Sequence, residues 1–134
     1  KGENVKYYGY GPYESYSDKH LCTYLDEFNT TVSDMYEPYI KPQENGSHFG
    51  TRYVETENIR VSSDTPFSFS ALHYTQEELT EKKHNFELEK CDDTVLCIDY
   101  KQNGIGQNSC GPLTQEEYRF DESEFEFKIR IEIK

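Results

Sequence analysis

Apolar and polar positions alternate strictly near the end of the chain, where Phe125, Phe127, Ile129, Ile131 and Ile133 interleave with Glu124, Glu126, Lys128, Arg130 and Glu132. A period of two predicts a strand with one dry and one wet face, as in an antiparallel sheet. Residues 94–100, Thr-Val-Leu-Cys-Ile-Asp-Tyr, are apolar on both faces, which predicts a central strand between two layers. Shorter strand patterns at Val5–Tyr8, Leu21–Phe28, Gly50–Val54, Ile59–Val61 and Phe67–Ala71 are separated by turn residues. That spacing is the one expected of a β-sandwich.

One stretch breaks the alternation. In "HYTQEELTEKKH", residues 73–84, Thr75 is placed to cap a helix, and Glu78, three residues on, to reach back as a capping box. Glu77 and Glu78 then fall in the first turn and Lys82, Lys83 and His84 in the last, matching the helix dipole at both ends. No internal repeat or low-complexity linker divides the chain, so the expected architecture is mostly β, an antiparallel β-sandwich with one short helix, with residues 1–134 as a single segment.

Composition sharpens this picture. A mean hydropathy of −0.97 would suggest disorder. Twelve tyrosines and eight phenylalanines argue otherwise, because tyrosine scores poorly on hydropathy scales yet buries a large ring. Fourteen basic against twenty-six acidic residues give a net charge of −12, which argues against nucleic acid and anionic membranes as partners. No apolar stretch approaches the roughly 20 residues of a membrane-spanning helix, and the start "KGENVKYYGYGP" carries no signal-peptide pattern. The expectation is a soluble, cytoplasmic protein.

Candidate chemistry is sparse. Cys22, Cys91, Cys97 and Cys110 contain no C-x-x-C pair, so neither a zinc site nor a disulfide framework is expected. His20, His48, His73 and His84 share no motif and read as structural or solvent-facing. In "PQENG", residues 42–46, Glu44 has no assignable carboxylate partner of the kind a glycosidase needs. The favoured reading has Glu44 and Asn45 bonding to the backbone and Gly46 supplying a positive φ. The loop "GIGQNSCGP", residues 104–112, lacks the spacing of a phosphate cradle, and its thiol has no cationic neighbour in sequence to activate it. Two readings of it stand: a binding loop at one end of the sandwich, or a tight connection.

Four segments, taken together, carry a resemblance. "YGYGPYESYSDK", ending at Lys19, "TVSDMYEPYIKPQENGSHFGTRYV" at 31–54, "FSFSALHYTQEELTEKKH" at 67–84 and "DYKQNGIGQNSCGP" at 99–112 resemble, in this order, the C-terminal domain of β-galactosidases of glycoside hydrolase family two. The resemblance covers nearly the whole chain. It implies the last half of a galactose-mutarotase-like supersandwich, in a parent that hydrolyses terminal β-D-galactosides such as lactose with retention. The family's catalytic glutamates and magnesium ligands belong to other domains. No catalytic residue, metal or cofactor is therefore expected in this segment.

One family role does carry over to this sequence. The loop matching residues 104–112 reaches the mouth of the family's sugar pocket, which implies substrate contact for Cys110, flanked by Asn108 and Ser109. Some members have Trp where this chain has Cys110, and a thiol offers less stacking area than an indole. Glu44, Asn45 and Arg52 are expected in the scaffold or domain interface, buried and bonded to each other or to backbone. Expected partners are the other domains or large subunit of the parent, its galactoside, and further copies meeting through exposed sandwich edges. Two other readings are a free-standing carbohydrate-binding module, which needs its own aromatic platform, and a mutarotase-type enzyme, which needs a His acting with a carboxylate.

Overall fold

The computed structural model describes residues 2–106 and 115–134. Strands β1 (Asn4–Gly11), β2 (Tyr24–Thr31), β3 (His48–Glu55), β4 (Ile59–Leu72), β5 (Val95–Asp99) and β6 (Arg130–Ile133) form one antiparallel sheet. Its order is β2-β1-β3-β4-β5, and β6 also pairs with β4. The chain is thus mostly β with one short helix, as its patterns predict, and the described strands make a single sheet. No helix among the described residues is long and apolar enough to cross a membrane.

β4 organises the molecule. One of its edges pairs with β3, while the other carries β6 beside Ile59–Ser62 and β5 beside Ser68–Leu72. The two runs predicted as separate strands, Ile59–Val61 and Phe67–Ala71, are therefore one strand of 14 residues. The turn-forming residues Asp64, Thr65 and Pro66 lie in the gap between β6 and β5, where proline's missing N–H costs no ladder bond. β3 is irregular on either side of Thr51, and Arg52 donates from Nη1 to the Asp64 carbonyl, bridging the stretch where β4 has no ladder partner.

The core is aromatic. Alternation in β1 buries Val5 and Tyr7, and the Tyr7 ring lies 4.5 Å from His48 and 5.2 Å from Phe69. The strand covered on both faces is the second half of β4, where Ser68 and Ser70 are as buried as the Phe67 and Phe69 they alternate with. β5, predicted to be central, lies at the end of the strand order and is half-buried along its length. Apolarity on both faces records what a strand could bury; its place in the ladder decides what it does bury.

Helix α1 spans Gln76–Glu81 and buries Leu79. Thr75 caps it as expected, accepting from the Glu78 N–H at 3.2 Å. The Glu78 carboxylate does not reach back. It accepts from the Glu89 N–H at 2.8 Å and faces Lys82 at 3.6 Å. The helix ends before Lys82, Lys83 and His84, because the Glu87 carboxylate takes the N–H groups of Lys83 and His84 and a separate 3-10 turn follows at Asn85–Glu87. With half of the box missing, Thr75→Ala should cost about 1 kcal/mol, read as a shift in the urea midpoint.

The terminal alternation also ends differently. Only Arg130–Ile133 is strand, paired to Ile59–Ser62, and Ile131 and Ile133 remain 59% and 87% exposed. Phe125 packs instead on Tyr100, ring to ring at 4.6 Å. Of the predicted dry face, Phe127 packs against the core beside Phe67, while Ile129, Ile131 and Ile133 are uncovered among the described residues.

Candidate functional site

Three of the sequence motifs converge on the residues that leave β5, Asp99–Gly106. The first is "YESYSDK", Tyr13–Lys19. Tyr16 and Lys19 exchange main-chain hydrogen bonds of 2.9 and 3.0 Å, closing a tight turn with Ser17 and Asp18 at its tip. Tyr16 is buried, which roots the turn in the protein. Behind it lies Glu14, 3% exposed, whose carboxylate accepts from Lys19 Nζ at 2.5 Å, from the Gly46 N–H at 2.8 Å and from the Tyr39 hydroxyl. Desolvation pulls the Lys19 ammonium down, but its bonds to Glu14 and Tyr39 outweigh this and hold it above its usual value.

The second motif is "PQENG". Asn45, 1% exposed, accepts from the Glu37 N–H at 3.0 Å and donates to the Gln43 carbonyl at 2.9 Å. Gly46 adopts φ +68°, and a Cβ there would lie 2.5 Å from the Met35 carbonyl oxygen, so only glycine fits while its N–H reaches Glu14. Glu44 and Arg52 are exposed. Of the expectation that Glu44, Asn45 and Arg52 are buried and bonded to each other or to backbone, Asn45 meets both parts, Arg52 bonds to backbone from an exposed position, and the exposed Glu44 bonds instead to Gln102.

The third motif is the strand exit itself. Gln102 donates from Nε2 to Glu44 at 2.7 Å and to Asp99 at 2.9 Å, one amide bridging two carboxylates. Desolvation pushes both carboxyls up, and the charge of Asp99 adds to the rise at Glu44. The Ser17 hydroxyl donates to the Gln102 carbonyl at 3.4 Å. Asp18 then takes the N–H groups of Ile105 at 3.1 Å and Gly106 at 2.9 Å, one on each carboxylate oxygen. Gly104 sits at φ +97°, and a Cβ there would lie 2.3 Å from the Asp18 carboxyl carbon. The Asn103 side chain accepts from the Phe120 N–H, tying the outgoing stem to the returning chain. Asn108, Ser109 and Cys110 lie outside the described residues.

This arrangement ties residues 102–106 to two motifs remote in sequence. The two carboxylates are bridged by an amide, and among the described residues no group of three or more His, Cys, Asp or Glu could hold a metal ion. Of the histidines, His48 is buried and donates from Nδ1 to the Tyr10 carbonyl, while His73 sits between the Asp93 carbonyl at 3.1 Å and Glu3 at 2.6 Å. Cys22, Cys91 and Cys97 are free thiols. The rings near the stem stack on each other, Phe49 on Tyr10 at 5.6 Å and Tyr100 on Phe125 at 4.6 Å. Sequence reasoning missed Glu14, Asp18 and Gln102. Their signal was only that each lies inside a motif carrying the resemblance.

A family model described as beta-galactosidase small chain matches residues 1–131. The chain belongs to the β-galactosidase small-chain family. It is 55% identical over 134 residues to a β-galactosidase of Actinobacillus pleuropneumoniae, covering 99% of this chain and 13% of that protein. A β-galactosidase of Staphylococcus xylosus is 49% identical over 133 residues, covering 96% of this chain and 13% of the relative. One of Streptococcus thermophilus is 38% identical over 109 residues, covering 77% of this chain and 11% of the relative. This small-chain family member thus spans about an eighth of the length of the relatives it matches.

Proposed function

We propose that this chain is the C-terminal segment of a glycoside hydrolase family two β-galactosidase, a scaffold that sends one loop to the sugar pocket of its parent. The parent is a cytoplasmic enzyme that removes terminal β-D-galactose, as from lactose, with retention at the anomeric carbon. Its catalytic glutamates and any magnesium belong to other domains, so this segment holds no cofactor and is inactive by itself. Residues 1–134 form one part of a β-sandwich, and the loop 104–112 brings Asn108, Ser109 and Cys110 to the sugar.

The observation that carries this reading is the stem. Two motifs remote in sequence spend Ser17, Asp18 and Glu44 on residues 102–106, more anchoring than a mere connection needs. A second feature supports the segment's being part of a larger body. Ile129, Ile131 and Ile133 expose 42%, 59% and 87% of their surface on and beside an edge strand, and Tyr24 and Leu25 on β2 are 57% and 46% exposed. Such apolar edges are the surface a preceding sandwich half would cover, and through which isolated copies would associate.

The test is hydrolysis of a chromogenic β-galactoside by the purified chain, alone and mixed with the remainder of its parent. Silence alone and turnover on mixing is the expected result. Turnover by the chain alone would place catalytic carboxylates here and overturn the reading.

A further inference from the structure

Asp18 is exposed and lies at the tip of a turn, where a carboxylate has no packing task. Its two oxygens nevertheless accept from two successive main-chain N–H groups, those of Ile105 and Gly106. A fork of two charge-assisted bonds sets orientation as well as distance. The partner segment is shaped to receive it: Gly104 takes a left-handed φ of +97°, and a Cβ on Gly106 would come to 3.2 Å from Asp18 Oδ2. The turn that presents Asp18 is itself immobilised, by the Tyr16–Lys19 main-chain pair and by the bond from Lys19 to the buried Glu14.

The geometry points to Asp18 as a positioning residue for the parent's sugar pocket, its carboxylate fixing the stem 104–106. This rests on the reading of that loop proposed above. Asp18 touches no substrate and moves no proton. Its effect is on where a wall of the pocket stands, so its loss should weaken binding of ground state and transition state alike. That signature is a raised KM with kcat little changed.

The experiment uses the full-length β-galactosidase with Asp18→Ala, Asp18→Asn and, as a control on the loop, Cys110→Ala. Asp18→Ala should raise KM for a β-galactoside roughly tenfold with kcat within about twofold. Asp18→Asn keeps one acceptor oxygen and should raise KM by about threefold. Melting temperatures should stay within about 2 °C of the parent, since Asp18 is outside the core. A KM shift in both Cys110→Ala and Asp18→Ala supports the inference. A shift in Cys110→Ala with none in the Asp18 variants overturns the positioning role and leaves the loop reading standing. No shift in any variant overturns both. A joint fall in kcat and melting temperature in Asp18→Asn would show a merely structural residue and also overturn it.

Discussion

Replacing Glu14 by alanine should lower the unfolding free energy of the chain by about 2–3 kcal/mol, a large part of the stability of a domain this size. Loss of one partner of a buried ion pair typically costs about 3–5 kcal/mol, because the survivor is left charged and dry. Here the survivor, Lys19, has a side chain 44% exposed and can turn to water, which removes part of that penalty. The Gly46 N–H cannot turn away: it is buried, and its 2.8 Å bond to Glu14 is what the left-handed backbone at Gly46 presents. The Tyr39 hydroxyl loses the same acceptor. Glu14→Gln, which keeps an oxygen for the Gly46 N–H, should recover about half. Urea unfolding followed by circular dichroism measures both. An alanine variant within about 0.5 kcal/mol of the parent would mean that this carboxylate does not join the two motifs energetically.

The second large effect is loss of stability in mild acid. Burial holds the His48 ring down at about 4, from 6.5, against the smaller upward pulls of its Tyr10 hydrogen bond and the Glu14 charge. As pH falls from 6.5 towards 4, unfolded chains take up a proton at this position while folded ones do not. The unfolded state then binds more protons, so stability declines with falling pH, by about 2 kcal/mol at pH 5. Glu44 and Asp99 act in the opposite sense, since their raised carboxyls favour proton uptake by the folded state. Glu3, Glu27 and Glu55, held low by their partners, add to the acid loss only nearer their own range. The window from 6.5 to 5 should therefore be dominated by His48. Urea midpoints across it should slope for the parent and flatten for His48→Gln, which keeps a donor for the Tyr10 carbonyl. Equal slopes would show that the ring is hydrated enough to titrate normally.

Much of the fold was written locally. Alternation at Val5–Tyr8 and Gly50–Val54, the Thr75 cap and the positive φ of Gly46 follow from periodicity, side-chain reach and Cβ sterics, which involve neighbours in sequence. The misplacements share a cause. Asp64-Thr65-Pro66 reads as a break, yet β4 continues through it, paired with β3 on either side and bonded across the gap by Arg52 to the Asp64 carbonyl. Lys82–His84 reads as a last helical turn, yet Glu87 captures the N–H groups of Lys83 and His84.

The loop stem shows the division most sharply. Glycines at 104 and 106 and the apolar strand before them were visible as a flexible connection of unusual composition, and the four colinear motifs pointed to the β-galactosidase family. That Asp18 and Glu44 would close on it depends on contacts spanning 88 and 58 residues of chain. By itself, then, the sequence determined the chain's mostly β character, the helix start, the aromatic core and the family, because each rests on local periodicity, composition or colinear motifs. Only the tertiary structure decided which strand is central, where the buried carboxylate sits and what grips the loop, because a carboxylate's partner is set by proximity after folding and leaves no period in the chain.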